Sequence, residues 1–188
     1  MNEFYYSIAL FLHIAGALGF FAALGLEWTG LWQIRSAATL GQIREWMGIL
    51  KSVRKVGFAS MLTTAITGIY MMVTDWGGVA WIIAAMGSLV LVIALSLALT
   101  GPRMAAIGRA LTTEKGSFSG SYHRLANHPL LWVSIQTRVA IALGIVFLKA
   151  VKPDLGGSLL TISVAIVLGV ASALPMPRRE RAQEGSAD

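Results

Sequence analysis

The chain has 188 residues, 56% of them hydrophobic and 13% charged, with a mean hydropathy of +0.70. Soluble domains carry about 25% charged residues, so this chain is built for a bilayer as its solvent. A net charge of +6 and a pI near 10.1 would suit nucleic acid, but the basic residues cluster between apolar runs, where they set membrane orientation, and that partner is excluded.

Met1-Asn2-Glu3 lacks the basic start of a signal peptide and the first apolar run is too long for one, so that run is expected to be retained. Five apolar runs succeed one another, over residues 5–34, 56–74, 79–99, 130–151 and 159–174. The last is short, but it is viable with its flanks as a span of about 20 residues. The predicted fold class is therefore all-α, a polytopic bundle of five transmembrane helices filling residues 1–174. In the first run, steps of four and three pick out Ala9, His13, Gly16, Phe20, Ala23, Glu27 and Gly30. Small residues let helices approach closely, and ionisable groups in a span face protein or water, so this seam points into the bundle.

Residues 39–51 place Leu40, Ile43, Met47 and Leu50 on one face, which predicts an interfacial amphipathic helix leading into the second span. The second run has its own seam, Ser60, Thr63, Thr67, Tyr70 and Thr74. Hydroxyls in spans mostly bond back to their own helix or bridge to a neighbour, so packing outweighs a site there. Gly101-Pro102 ends or bends the third span, with a further short helix over 103–111 and a flexible loop over 112–121. Asn127-His128-Pro129 opens the fourth run, and Lys152-Pro153-Asp154 with Gly156-Gly157 turns into the fifth. Residues 175–188 form a charged tail expected to be disordered. Cysteine is absent, which excludes disulfides and thiolate metal sites.

Positive charge decides orientation. Arg35, Arg44, Lys51, Arg54 and Lys55 follow the first run, Arg103, Arg109, Lys115 and Arg124 follow the third, and Arg178, Arg179 and Arg181 follow the fifth. The other connections hold only Asp75, then Lys149, Lys152 and Asp154. The expected topology has the N-terminus outside and the C-terminus in the cytoplasm.

The fourth run carries Ser134, Gln136, Thr137 and Arg138. At about 1.5 Å per residue, Arg138 lies roughly 16 Å and His13 roughly 12 Å from the outer boundary, so the two could share a level. An arginine so deep costs about 2.5–3.5 kcal/mol and needs a partner: Glu27, an acidic ligand such as a haem propionate, or water. Glu27 could equally pair with Arg54 or Lys55. His13 could ligate a metal or haem, or simply hydrogen-bond Thr67 or Tyr70 across helices. His123 and His128 fall at the cytoplasmic edge and read as loop histidines. Met61, Met71, Met72 and Met86 are either soft ligands for Cu(I) or gap-filling side chains.

Leu12-His13 with Gly16 and Gly19 resembles the first span of small bacterial inner-membrane proteins of the HemJ and CopD type. Met61-Leu62-Thr63 with Gly68 resembles the second span of the HemJ family, and Trp81 with the apolar run after it resembles the third. Lys152-Pro153 is similar to the Lys-Pro near the end of those proteins and of a related uncharacterised integral membrane family. The resemblance covers about four spans, through short motifs. HemJ binds haem b and is linked to protoporphyrinogen oxidation, and CopD is linked to copper, so the resemblance implies that His13 is the haem-ligating position. No lysine occurs over residues 79–99, although the HemJ third span carries a lysine as second ligand at a place near Ala85, beside Met86.

The expected function is haem b binding for a redox role, electron transfer or oxidation, in a bacterial inner membrane. His13 would be the axial ligand and Arg138 the propionate or charge partner, with Thr67 and Tyr70 beside the site. Expected partners are the lipid bilayer, a second copy in a homodimer, and a quinone or other redox partner. A haem-free permease or copper-handling protein using His13 and the methionines is the alternative. A third reading is a structural or accessory subunit whose polar seams only specify packing.

Overall fold

The computed structural model describes residues 2–113 and 125–173, and every regular element among them is helical. Helix α1 spans Asn2–Ser36, α2 Leu40–Met71, α3 Ala80–Leu95, α4 Gly101–Thr113, α5 Pro129–Val151 and α6 Leu155–Ala173. Five helical stretches, counting the turns that extend α2 and join α3 to α4, are long and apolar enough to cross a membrane, as the hydropathy runs predict. His123, most of the expected flexible loop and the expected tail lie outside the described residues.

Helices α1 and α2 form one antiparallel layer, and the seam of the first run is its inner face. Ala9, Gly16, Ala23, Glu27 and Gly30 are buried, while Leu18 on the opposite side is 67% exposed. The glycines set how close the two helices come. A Cβ added at Gly16 would lie 2.6 Å from Thr64 Oγ1 and 2.9 Å from the Ser60 carbonyl oxygen, and one at Gly30 would lie 2.7 Å from Leu50 Cδ2.

Helix α2 runs unbroken from the basic end of the bundle, where a separate interfacial helix was expected. Thr39 caps it by accepting from Gln42 N, and Gln42 Oε1 accepts in turn from Ala38 N at 2.9 Å. No proline interrupts it, and the apolar face of its first turns packs on protein instead of lying on lipid. Ile43 and Leu50 are fully buried in a cluster with Ile34, Ile107, Leu131 and Ile135. This cluster is the main core, and it sits at the end that carries the basic loops.

The second layer is α3, α5 and α6. Helix α5 is the most enclosed, with half of its apolar window buried, and Gly169 of α6 meets it backbone to backbone. A Cβ at Gly169 would be 2.5 Å from Thr137 Cα. Pro102 lacks an N–H and its ring crowds the carbonyl one turn back, so the helix widens into a π turn over Ser96–Thr100 before α4 continues. A second π turn, Met72–Trp76, ends α2, where Gly77 at φ 64° donates to the Met72 carbonyl. Asp154 starts α6 four residues before the apolar run, its Oδ1 accepting from Gly157 N at 2.8 Å.

Candidate functional site

The groove between the two layers holds two cavities, one above the other. The one away from the basic end has a volume of about 310 Å³, and His13 of α1 is in its wall. The imidazole is held by α2. His13 Nδ1 lies 2.9 Å from the Thr64 carbonyl oxygen and 3.2 Å from Thr67 Oγ1. A carbonyl only accepts, and the Thr67 hydroxyl already donates to the Thr63 carbonyl at 2.6 Å, so Nδ1 must carry the hydrogen. Nε2 then keeps its lone pair, and it has no hydrogen-bond partner among the described residues. Gly68 makes room for the ring, since a Cβ there would be 3.1 Å from His13 Cε1.

Around the imidazole the walls are thioether and aromatic: Met71 and Met72 from the end of α2, Met86 from α3, and Trp76 and Trp81 at the turn between them. Lys149 and Lys152, from the end of α5, supply the charge, and no carboxylate is in the lining. Lys152 closes α5 in the left-handed conformation at φ 53°, and its Nζ lies 4.4 Å from the centre of the Trp76 ring, a cation–π contact. Among the described residues no group of three His, Cys, Asp or Glu side chains could hold a metal. A metal at His13 would draw its remaining ligands from thioethers, amines or an organic macrocycle.

Of the residues singled out in the sequence, the structure brings His13 and Thr67 together. Tyr70 is 38% exposed on the outer face of α2 and does not line the cavity. The inner face of α2 is Gly57, Met61, Thr64, Gly68 and Met71, turned by one residue from the expected hydroxyl seam. Thr63 and Thr74 bond back to the carbonyls of Ala59 and Tyr70, the packing role expected of them. His128 caps α5, its Nδ1 accepting from Leu130 N and Arg103 Nε.

Arg138 is not at the His13 cavity. Its Nη1 donates to Glu27 Oε2 at 2.9 Å, the first of the partners weighed for it, and both side chains are more than nine-tenths buried. Nη1 also reaches Ser96 Oγ at 3.5 Å and Nη2 reaches Thr100 Oγ1 at 3.3 Å, both on the π turn. Thr100 Oγ1 is 2.9 Å from Ser134 Oγ, so the polar cluster ties α1, α3 and α5 together. The pair borders the second cavity, about 270 Å³, on the side of the basic end. On α2 and α3 the two cavities are separated by three residues, Met61 to Thr64 and Leu89 to Val92, or about 4.5 Å of helix.

Sequence reasoning missed Thr64, which orients the imidazole, and the two lysines that reach the same cavity. Lys149 inside a span was the available signal, and Thr64 had none, because its carbonyl acts and its side chain does not. Comparison with known proteins finds no family, no curated relative and no solved structure that matches this chain.

Proposed function

We propose that the chain is a haem b-binding membrane protein with a redox role, in which His13 is the axial ligand. The observation that carries this reading is the imidazole itself, with Nδ1–H held on a backbone carbonyl and Nε2 left unpartnered in a cavity. Metal-bound histidines typically donate their other ring nitrogen in this way, which fixes the tautomer and raises ligand basicity. The surrounding residues fit the group. Met71, Met86, Trp76 and Trp81 offer walls for an apolar macrocycle, and Lys149 and Lys152 offer cations for its carboxylates, the role first expected of Arg138. The volume of 310 Å³, at the lower end of small-molecule sites, would take only part of a haem, with the rest of the group outside the cavity. Bound haem would supply a one-electron iron couple. The chain's own part is to hold the ring, shield it and balance its charge. The reading places the protein in a bacterial inner membrane, as a homodimer that exchanges electrons with a quinone or another redox partner.

The test is the spectrum of the purified protein after expression with ample haem. A Soret band is expected, with His13→Ala removing it and a Lys149→Gln, Lys152→Gln double variant weakening haem retention. His128→Ala and Arg138→Gln should leave the band in place, because neither residue borders this cavity. A colourless wild-type protein, or a Soret band intact in His13→Ala, refutes the reading.

One observation favours a second reading, Cu(I) handling. Met71, Met72 and Met86 line the same cavity as His13, and thioethers with an imidazole are a soft donor set. A colourless protein that binds Cu(I), and loses it in His13→Ala and Met71→Leu, would select that reading.

A further inference from the structure

We propose that the second cavity, beside the Glu27–Arg138 pair, is a separate ligand site and that it takes a single-chain amphiphile with one negative charge, a long-chain carboxylate. Three ionisable side chains border it, Arg54, Arg138 and Glu27. Two cations against one carboxylate leave one positive charge uncompensated.

The hydrogen bonds are uncompensated as well. Arg138 is 4% exposed and uses Nη1 and Nη2 on Glu27, Ser96 and Thr100, while its Nε–H is buried without an acceptor. A buried donor left in this state costs about 1–3 kcal/mol, more for a charged group. Arg54 is half-buried and has no ion pair or hydrogen bond among the described residues. Neither feature belongs to the packing of the bundle, and a carboxylate head answers both.

The rest of the wall specifies the tail. Phe20, Phe58, Met61, Val92 and Leu97 are apolar, which suits a hydrocarbon chain. At about 270 Å³ the space suits one acyl chain entering from the membrane and not the two chains of a phospholipid. Arg54, in the first half of α2, lies toward the basic end, where a lipid-derived carboxylate resides when its tail is in the bilayer.

The experiment is equilibrium binding of radiolabelled palmitate to the intact protein in a neutral detergent, with hexadecanol and phosphatidylglycerol as competitors. Saturable binding is expected, displaced by unlabelled palmitate and by neither competitor. Arg54→Gln should weaken it about ten- to a hundredfold, the worth of one charge-assisted hydrogen bond. Leu97→Trp, which sets a bulky ring at the exposed rim of the cavity and leaves every charge in place, should weaken it. His13→Ala should leave it unchanged, which separates this site from the haem reading. Absence of saturable binding, equal competition by hexadecanol, displacement by phosphatidylglycerol, or an unaltered affinity in Arg54→Gln would each overturn the proposal.

Discussion

Glu27→Leu leaves a guanidinium inside the bundle with only two hydroxyls for company, and its cost can be worked from the geometry. The pair is closed at 2.9 Å, with side chains 4% and 8% exposed, so little solvent screening is available. Removing one partner of such a pair typically costs about 3–5 kcal/mol, because the survivor remains charged and buried. Arg138→Met should cost a similar amount by stranding the carboxylate. Removing both side chains together is different. Thr100 and Ser134 keep their mutual hydrogen bond at 2.9 Å, and two apolar side chains fill the space. The double variant should therefore be more stable than either single variant, with a coupling energy of about 3 kcal/mol or more. Equilibrium unfolding in mixed dodecylsulfate micelles, followed by helical circular dichroism, measures all four corners of the cycle. If the two single costs simply add, to within about 0.5 kcal/mol, the pair is not the buried contact described and the reasoning fails.

Three further outcomes follow from the packing and the charges. Gly16→Ala should destabilise the protein by about 1–3 kcal/mol in the same unfolding assay, since its Cβ would lie 2.6 Å from Thr64 Oγ1, whereas Gly25→Ala, with nothing within 4 Å, should be neutral or gain up to about 1 kcal/mol. Asp154→Ala removes the cap of α6 and should lower stability by about 1 kcal/mol, with Asp154→Asn retaining most of it. Reporter fusions placed after Ala38 and at the C-terminus should read as cytoplasmic and one after Gly77 as external; the reverse pattern would overturn the orientation drawn from the basic loops.

What the amino-acid sequence determined by itself was whatever depends on neighbours along the chain. Hydropathy over a span-length stretch is such a property, and so the number and order of the five membrane-length helices could be read from it. The inner face of α1 could be read too, because His13, Glu27 and the small residues between them differ so sharply from the lipid-facing Leu18 and Ile14. Interhelical partners were a matter for the tertiary structure. On α2 the hydroxyls of Thr63, Thr64, Thr67 and Thr74 are chemically alike, and moving a seam by one residue turns it by about 100°, which brings Thr64 to the inner face and leaves Tyr70 at the surface. Glu27 had three eligible cations along the chain, Arg54, Lys55 and Arg138, and only the approach of α1 to α5 at the level of the Pro102-induced π turn selects Arg138. The same approach leaves Lys149 and Lys152 beside His13. An ion pair in a bundle is decided by how the helices are rotated and how closely their glycines let them meet, and neither is a local property of any one span.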